Sequence, residues 1–236
     1  MTMESDCTGV IYCATRSCHY FKKRSSYALY ADRSAGSLRQ FLPNIKITLF
    51  TDEVPHPTLQ NFDDVSVLRN LGEGPFFGKI TAIKNSPYKN TLFLDCDTMV
   101  LTNSIKQLFS LLEKFDIVGC HAPARVQNAV HKKYEHIPRS FPEINTGVMA
   151  YKKNLKTDNV FNFWLDCYKE DVQHKSAGND QAAFRKAIWT HAIDLGIVPM
   201  EYNHRNRQAI KGHKISALNT VIHHCRVAYP EITLDI

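Results

Sequence analysis

Short apolar runs alternate along the chain with segments whose apolar positions recur three and four residues apart. The runs are rich in β-branched and aromatic residues and bounded by polar or turn-forming ones, which is the strand pattern. It predicts strands at 10–14, 46–50, 65–68, 91–94, 116–120, 147–151, 192–198 and 220–222. Ile105, Leu108, Phe109 and Leu112 share one helical face, with Ser104 and Gln107 in capping-box spacing. Val160, Phe161, Trp164, Cys167, Tyr168 and Val172 share another, with Asp158 at its start. Strand-helix alternation predicts an α/β fold with a mainly parallel central sheet flanked by helices, where ligands sit beyond the carboxyl ends of the strands. No repeat, low-complexity tract or Pro/Gly-rich linker divides residues 1–236, so a single domain is expected.

Composition narrows the class. An apolar fraction of 44% with 22% charged residues excludes disordered and fibrous chains. The longest apolar stretch, 91–101, is broken by Asp95 and Asp97 and falls short of the roughly 18–20 residues of a membrane span. No membrane span is expected. Residues 1–7 carry no basic segment followed by an apolar one, so no secretory signal is expected either. Seven cysteines, an odd and scattered set lying partly inside apolar runs, fit buried thiols in a reducing cytoplasmic setting. Cys13, Cys18 and His19 match no zinc spacing. The net charge of +6 concentrates at 22–24, 125–139 and 205–214. No nucleic-acid module accompanies it, so these are expected to be solvated faces and no nucleic-acid partner is expected. The basic stretch 124–142, just before Asn145, is a candidate acceptor-side loop; the use of 16–26 is open.

Candidate chemistry centres on Thr91-Leu92-Phe93-Leu94-Asp95-Cys96-Asp97-Thr98. A buried-strand pattern ends in two acids one residue apart, which on extended backbone share a face and offer hard oxygen ligands to a cation. The bland alternative is a solvated turn. A phosphohydrolase with an aspartate nucleophile also uses a strand running into Asp-x-Asp. It normally carries Thr at the fifth position of Asp-x-Asp-x-Thr, where this chain has Met99, and it carries a later Gly-Asp-x-x-x-Asp element absent here. A sugar-nucleotide or nucleic-acid binding module without catalysis is the other alternative.

In its ordered motifs the sequence resembles the GT-A glycosyltransferases, most closely family 8, which contains glycogenin and the bacterial lipopolysaccharide galactosyltransferases. Tyr27-Ala28-Leu29-Tyr30 with Ser34 and Ser37-Leu38 is similar to its first helix. Lys79 stands sixteen residues before Asp95, as the family's active-site Lys does. Asn145-Thr146-Gly147-Val148, Asp180-Gln181 and Val221-Ile222-His223 resemble its sugar-pocket strand, its Asp-Gln pair and its final metal-binding His. The likeness runs from about Gly9 to Pro230.

The resemblance implies a single GT-A (Rossmann-like) domain that transfers a hexose from a UDP-sugar to an acceptor hydroxyl with retention of configuration. It implies a divalent metal, Mn2+ or Mg2+, on Asp95, Asp97 and His223. Two hard oxygens with one imidazole nitrogen suit Mn2+ somewhat better. His224 would point the opposite way from His223 on an extended chain and is left outside the metal shell. Tyr27 is expected to stack on the base, and Lys79, Asp95 and Asn145 to meet the donor. Asp180, Gln181 and Lys79 are the candidate catalytic groups, although Asp180 equally suits a helix N-cap. The chain departs from the family after its final His, where Tyr229 replaces a phosphate-binding Lys, leaving Arg226 as the candidate phosphate contact. The acceptor (glycan, lipid-linked or protein) and the oligomeric state are not legible.

Overall fold

The computed structural model describes residues 8–15, 27–53, 57–122, 134–174, 180–205 and 219–224. Its frame is a seven-stranded sheet in the order β3-β2-β1-β4-β7-β6-β8. The strands are β1 (Thr8–Ala14), β2 (Lys46–Thr51), β3 (Asp64–Val67), β4 (Asn90–Leu94), β6 (Ile117–His121), β7 (Ile144–Lys152) and β8 (Leu195–Val198). All run parallel except β7, which is antiparallel to both β4 and β6. Every residue of β1 is buried, which is why the central strands read as unbroken apolar runs rather than alternating ones. A two-stranded ribbon pairs β5 (Thr98–Val100) with β9 (Ile222–His224).

Alternation within the central strands sends side chains into two layers. Val10, Tyr12, Leu92 and Leu94 meet α1 (Tyr27–Arg39) and α3 (Gln107–Leu111) through Ala31, Ala35, Leu38, Leu108 and Phe109. Ile11, Phe93, Met149 and Tyr151 meet α2 (Phe77–Lys84), α4 (Leu155–Gln173) and α5 (Gln181–Thr190) through Ile80, Phe161, Trp164 and Phe184. This is the expected α/β architecture. Among the described residues no helix is long and apolar enough to cross a membrane, and Cys13, Cys96, Cys120 and Cys167 are buried and in no disulfide.

The local expectations fail mostly at element ends. Ser104 does not cap a helix: Thr102 does, accepting from the Ser104 amide ahead of a 3-10 turn, Asn103–Lys106. Helix α4 starts before Asp158, capped by Asn154 in a reciprocal box with Thr157. Strand β5 is too short to show a pattern, and the last strand is 222–224 rather than 220–222.

The direction of β7 decides where the site lies. Because it opposes its neighbours, its first residues emerge at the edge where β4 ends, with Leu94 opposite Val148. The strand that begins at Ile144 therefore delivers its start to the acids that follow Leu94.

Candidate functional site

Asp95 follows the last residue of β4, and its amide donates to the Gly147 carbonyl at 2.7 Å. The Asp95 carbonyl in turn accepts from the Thr98 hydroxyl at 2.8 Å, so the chain turns back through Asp97 into β5. That strand is fixed from above by α1: Ser34 and the Thr98 hydroxyl share a hydrogen bond of 2.8 Å, and Ser37 accepts from the Val100 amide at 2.9 Å. Pairing of β5 with β9 places His224 opposite Thr98. The His224 Nε2 atom lies 3.1 Å from Asp97 and 3.5 Å from Asp95. One ligand atom from each of Asp95, Asp97 and His224 falls within 4.8 Å of the others.

The His expected at this cluster was His223, and here the structure corrects the sequence. The two imidazoles do leave β9 on opposite sides, but the ribbon register turns His224 to the acids. His223 packs edge-on against His204, ring centroids 5.5 Å apart, with a buried Nε2 that has no hydrogen-bond partner. Burial, then the neighbouring His204 and His224, push its pKa down. For Asp97, burial favours the protonated carboxyl, but the facing His224 outweighs it and Arg205 adds to it, holding the group below the usual carboxylate range.

Lys79, on α2, comes in from the other side. Its buried ammonium lies 3.0 Å from the Thr146 hydroxyl, 3.2 Å from Asp95 and 3.3 Å from Asp180, and it sits 5.3 Å from the Phe93 ring centre. Burial disfavours the charge, but the Asp180 and Asp95 carboxylates overcome it and hold the pKa well above the ordinary lysine value. Asp180 does stand at the N-cap position of α5, yet its side chain caps nothing. Its carboxylate instead accepts from the Thr146 hydroxyl at 2.7 Å.

A chain of amides joins this arm to the metal-type cluster. Asn145 donates to Gln181 at 2.8 Å, and Gln181 donates to Glu143 at 2.7 Å. Asn203 donates to Asn145 at 2.9 Å, and its own oxygen lies 2.7 Å from His224 Nδ1. Asp95, Asp97, Lys79, Asn145, Asp180 and Gln181 are thus brought together. Tyr27 opens α1, half-buried, with its ring edge-on to Tyr30 at 6.4 Å. Arg226, the 16–26 stretch and residues 124–133 lie outside the described residues. Sequence reasoning missed Glu143, Asn203 and His224. His224 was weighed and set aside for its neighbour, Glu143 left a trace in standing two residues before Asn145, and Asn203 left none.

No protein-family model and no curated protein matches the sequence. Solved structures do resemble the chain. The galactosyltransferase LgtC, in complex with donor and acceptor sugar analogs, is similar over 94% of this chain and 87% of its own, with 12% identity and a TM-score of 0.58. The glycosyltransferase GlyE of Streptococcus pneumoniae TIGR4 is similar over 92% of this chain and 54% of its own, with 14% identity and a TM-score of 0.61. The bifunctional glycosyltransferase WbbM, as the apo structure, gives 95%, 46%, 13% and 0.61 in the same order. The chain spans about half the length of GlyE and WbbM. At such identities the likeness is one of fold, and the fold is the GT-A fold that the motifs implied.

Proposed function

We propose that the chain is a metal-dependent glycosyltransferase that moves a hexose from a UDP-sugar to an acceptor hydroxyl with retention of configuration. The observation that carries this is the convergence, at one edge of a GT-A sheet, of Asp95, Asp97 and His224 beside Lys79, Asn145, Asp180 and Gln181. LgtC, which shares the fold, was solved with donor and acceptor sugar analogs, and also as an active-site Gln-to-Glu mutant.

Two carboxylates and one imidazole nitrogen fit Mn2+ or Mg2+, with the nitrogen favouring Mn2+. Asp95, Asp97 and His224 would hold the ion, which supplies neutralisation of charge on a departing pyrophosphate. Lys79 holds Asp95 and Asp180 in place. An ammonium has three N–H donors, and the distances above assign them to Thr146, Asp95 and Asp180. Asp180, anchored by Thr146 and Lys79, and Gln181, anchored by Asn145 and Glu143, present oriented oxygens to a positive sugar carbon. Tyr27 offers its ring to the base, and Arg226 its guanidinium to phosphate. Four buried cysteines in no disulfide are consistent with a cytoplasmic setting. The acceptor is a hydroxyl of a glycan, a lipid-linked sugar or a protein.

The test is release of UDP from a panel of UDP-sugars with Mn2+, with and without sugar acceptors. Turnover above that of Asp97→Asn supports the assignment; equal rates for the two proteins with every donor would reject it.

A further inference from the structure

We propose that Asn203 is a positioning residue that fixes the His224 imidazole with its proton on Nδ1, so that the Nε2 lone pair faces Asp95 and Asp97. The inference rests on the cation role assigned to that cluster, and it deepens it by naming the group that makes His224 a ligand.

The polarity of the amide chain follows from one backbone group. The Gly147 N–H can only donate, and it does so to the Asn145 oxygen at 2.9 Å. The other side-chain atom of Asn145 is therefore its NH2, which donates to the Gln181 oxygen. The Gln181 NH2 then donates to the Glu143 carboxylate, an acceptor when ionised. On the other branch, the atom of Asn203 that meets the Asn145 oxygen must be its NH2. What remains to face His224 Nδ1 is the Asn203 oxygen, at 2.7 Å. An acceptor there requires a proton on Nδ1. In the neutral ring this leaves Nε2 unprotonated.

Without this constraint, the favourable arrangement beside two carboxylates would be the opposite tautomer, with Nε2–H donating to Asp97 and closing the cluster to a cation. Asn203, His224 and Asn145 are all buried, so water does not readily replace the missing partner. Asn203 is itself held in register. It ends the 3-10 turn Met200–Asn203, and the next residue, His204, bonds both ways with β9: its amide to the Ile222 carbonyl at 2.9 Å and its carbonyl to the His224 amide at 2.8 Å. Partners that orient a ligating imidazole typically contribute about 10–100-fold to metal affinity.

The experiment uses the full chain with 15N-labelled histidine. Imidazole spectra of the metal-free protein are recorded at a pH where the His224 ring is neutral, and Mn2+ affinity is measured by titration. The wild type should show the Nδ1–H form. Asn203→Ala should shift His224 toward the Nε2–H form and weaken Mn2+ binding about 10–100-fold. Asn203→Asp, which keeps an acceptor facing Nδ1, should retain the Nδ1–H form. Nε2–H in the wild type, or an unchanged tautomer and unchanged affinity in Asn203→Ala, would overturn the assignment. Should Asn203→Ala not fold, the wild-type spectrum and Asn203→Asp decide it alone. Mn2+ binding that is absent from the wild type, or unchanged by His224→Ala, sinks the cation role instead; the metal-free spectra still judge Asn203 independently.

Discussion

The space that a side chain at Gly147 would need is filled by the carboxylate of Asp95. A Cβ there would also run into the His224 ring and the Asn145 oxygen. None of the three can step aside cheaply, because the Asp95 amide is bonded to the Gly147 carbonyl and Asn145 to the Gly147 amide. Gly147→Ala should therefore cost about 1–3 kcal/mol of stability by overpacking and lower Mn2+ affinity at least tenfold. Urea unfolding and metal titration check the two effects, and wild-type values in both would show that the site tolerates the extra carbon.

The two adjacent histidines should separate cleanly. His224→Gln removes the ring that faces Asp95 and Asp97, and Mn2+ binding should fall more than tenfold. His223→Gln changes a ring that packs edge-on against His204, on the far side of β9, and should leave Mn2+ affinity within about twofold. Metal titrations of both variants read this directly, and the reverse ranking would restore the expectation drawn from the sequence.

That pair also shows where sequence legibility ends. The buried strands, the alternation behind the two core layers, the acids after β4 and the ordered motifs were readable because each rests on local periodicity or local spacing. Which of His223 and His224 turns inward depends on how three residues of β9 pair with three of β5, a long-range register that no local pattern encodes. The reversal of β7 is likewise a property of topology, and it alone explains how Asn145 comes to lie beside Asp95. Asn203 gave no signal because its role is defined entirely by partners distant in sequence.

Lys79 is the electrostatic centre between Asp95 and Asp180. Lys79→Met would leave Asp180, 2% exposed, with a buried charge and, among the described residues, only the Thr146 hydroxyl for compensation. Breaking a buried pair from one side costs about 3–5 kcal/mol. Adding Asp180→Asn removes the stranded charge and should recover a large part of that loss. Denaturation of the single and double variants tests the coupling; additive losses would mean that the two residues do not interact.

Acid stability should depend on Asp63, which ties α1 to β2. Burial pushes its pKa up, but the Arg39 guanidinium at 2.7 Å, the Ile47 amide at 2.8 Å and the charge of Lys46 outweigh it, so the folded-state value is lowered. A lowered carboxyl contributes stability that is present above the ordinary Asp pKa and lost as pH falls through the folded value. Asp63→Asn should thus be less stable than the wild type at neutral pH, by on the order of 1 kcal/mol for a partly exposed pair. The gap should close in acid. A gap independent of pH would assign the loss to packing rather than charge.

Arg185 links the candidate catalytic helix to the segment that leads into β7. It lies one turn beyond Gln181 on α5 and is buried, and its Nη2 atom donates at 2.7 Å to the carbonyls of both Pro138 and Phe141, while Nε donates to Phe141 at 2.9 Å. Arg185→Leu keeps the apolar stem but strips the Phe141 carbonyl of both its arginine donors and leaves the Pro138 carbonyl only the Phe141 amide, at 2.9 Å, a loss of about 1–3 kcal/mol for the stranded acceptor. The segment 134–143 should then loosen while the candidate metal cluster Asp95-Asp97-His224, set at the ends of β4, β5 and β9, stays in place. Hydrogen exchange should rise at 134–143 with Mn2+ affinity unchanged. If donor and acceptor kinetics are measured, KM for the acceptor should rise more than KM for the UDP-sugar. A fall in Mn2+ affinity would show instead that α5 and the metal cluster are mechanically one unit.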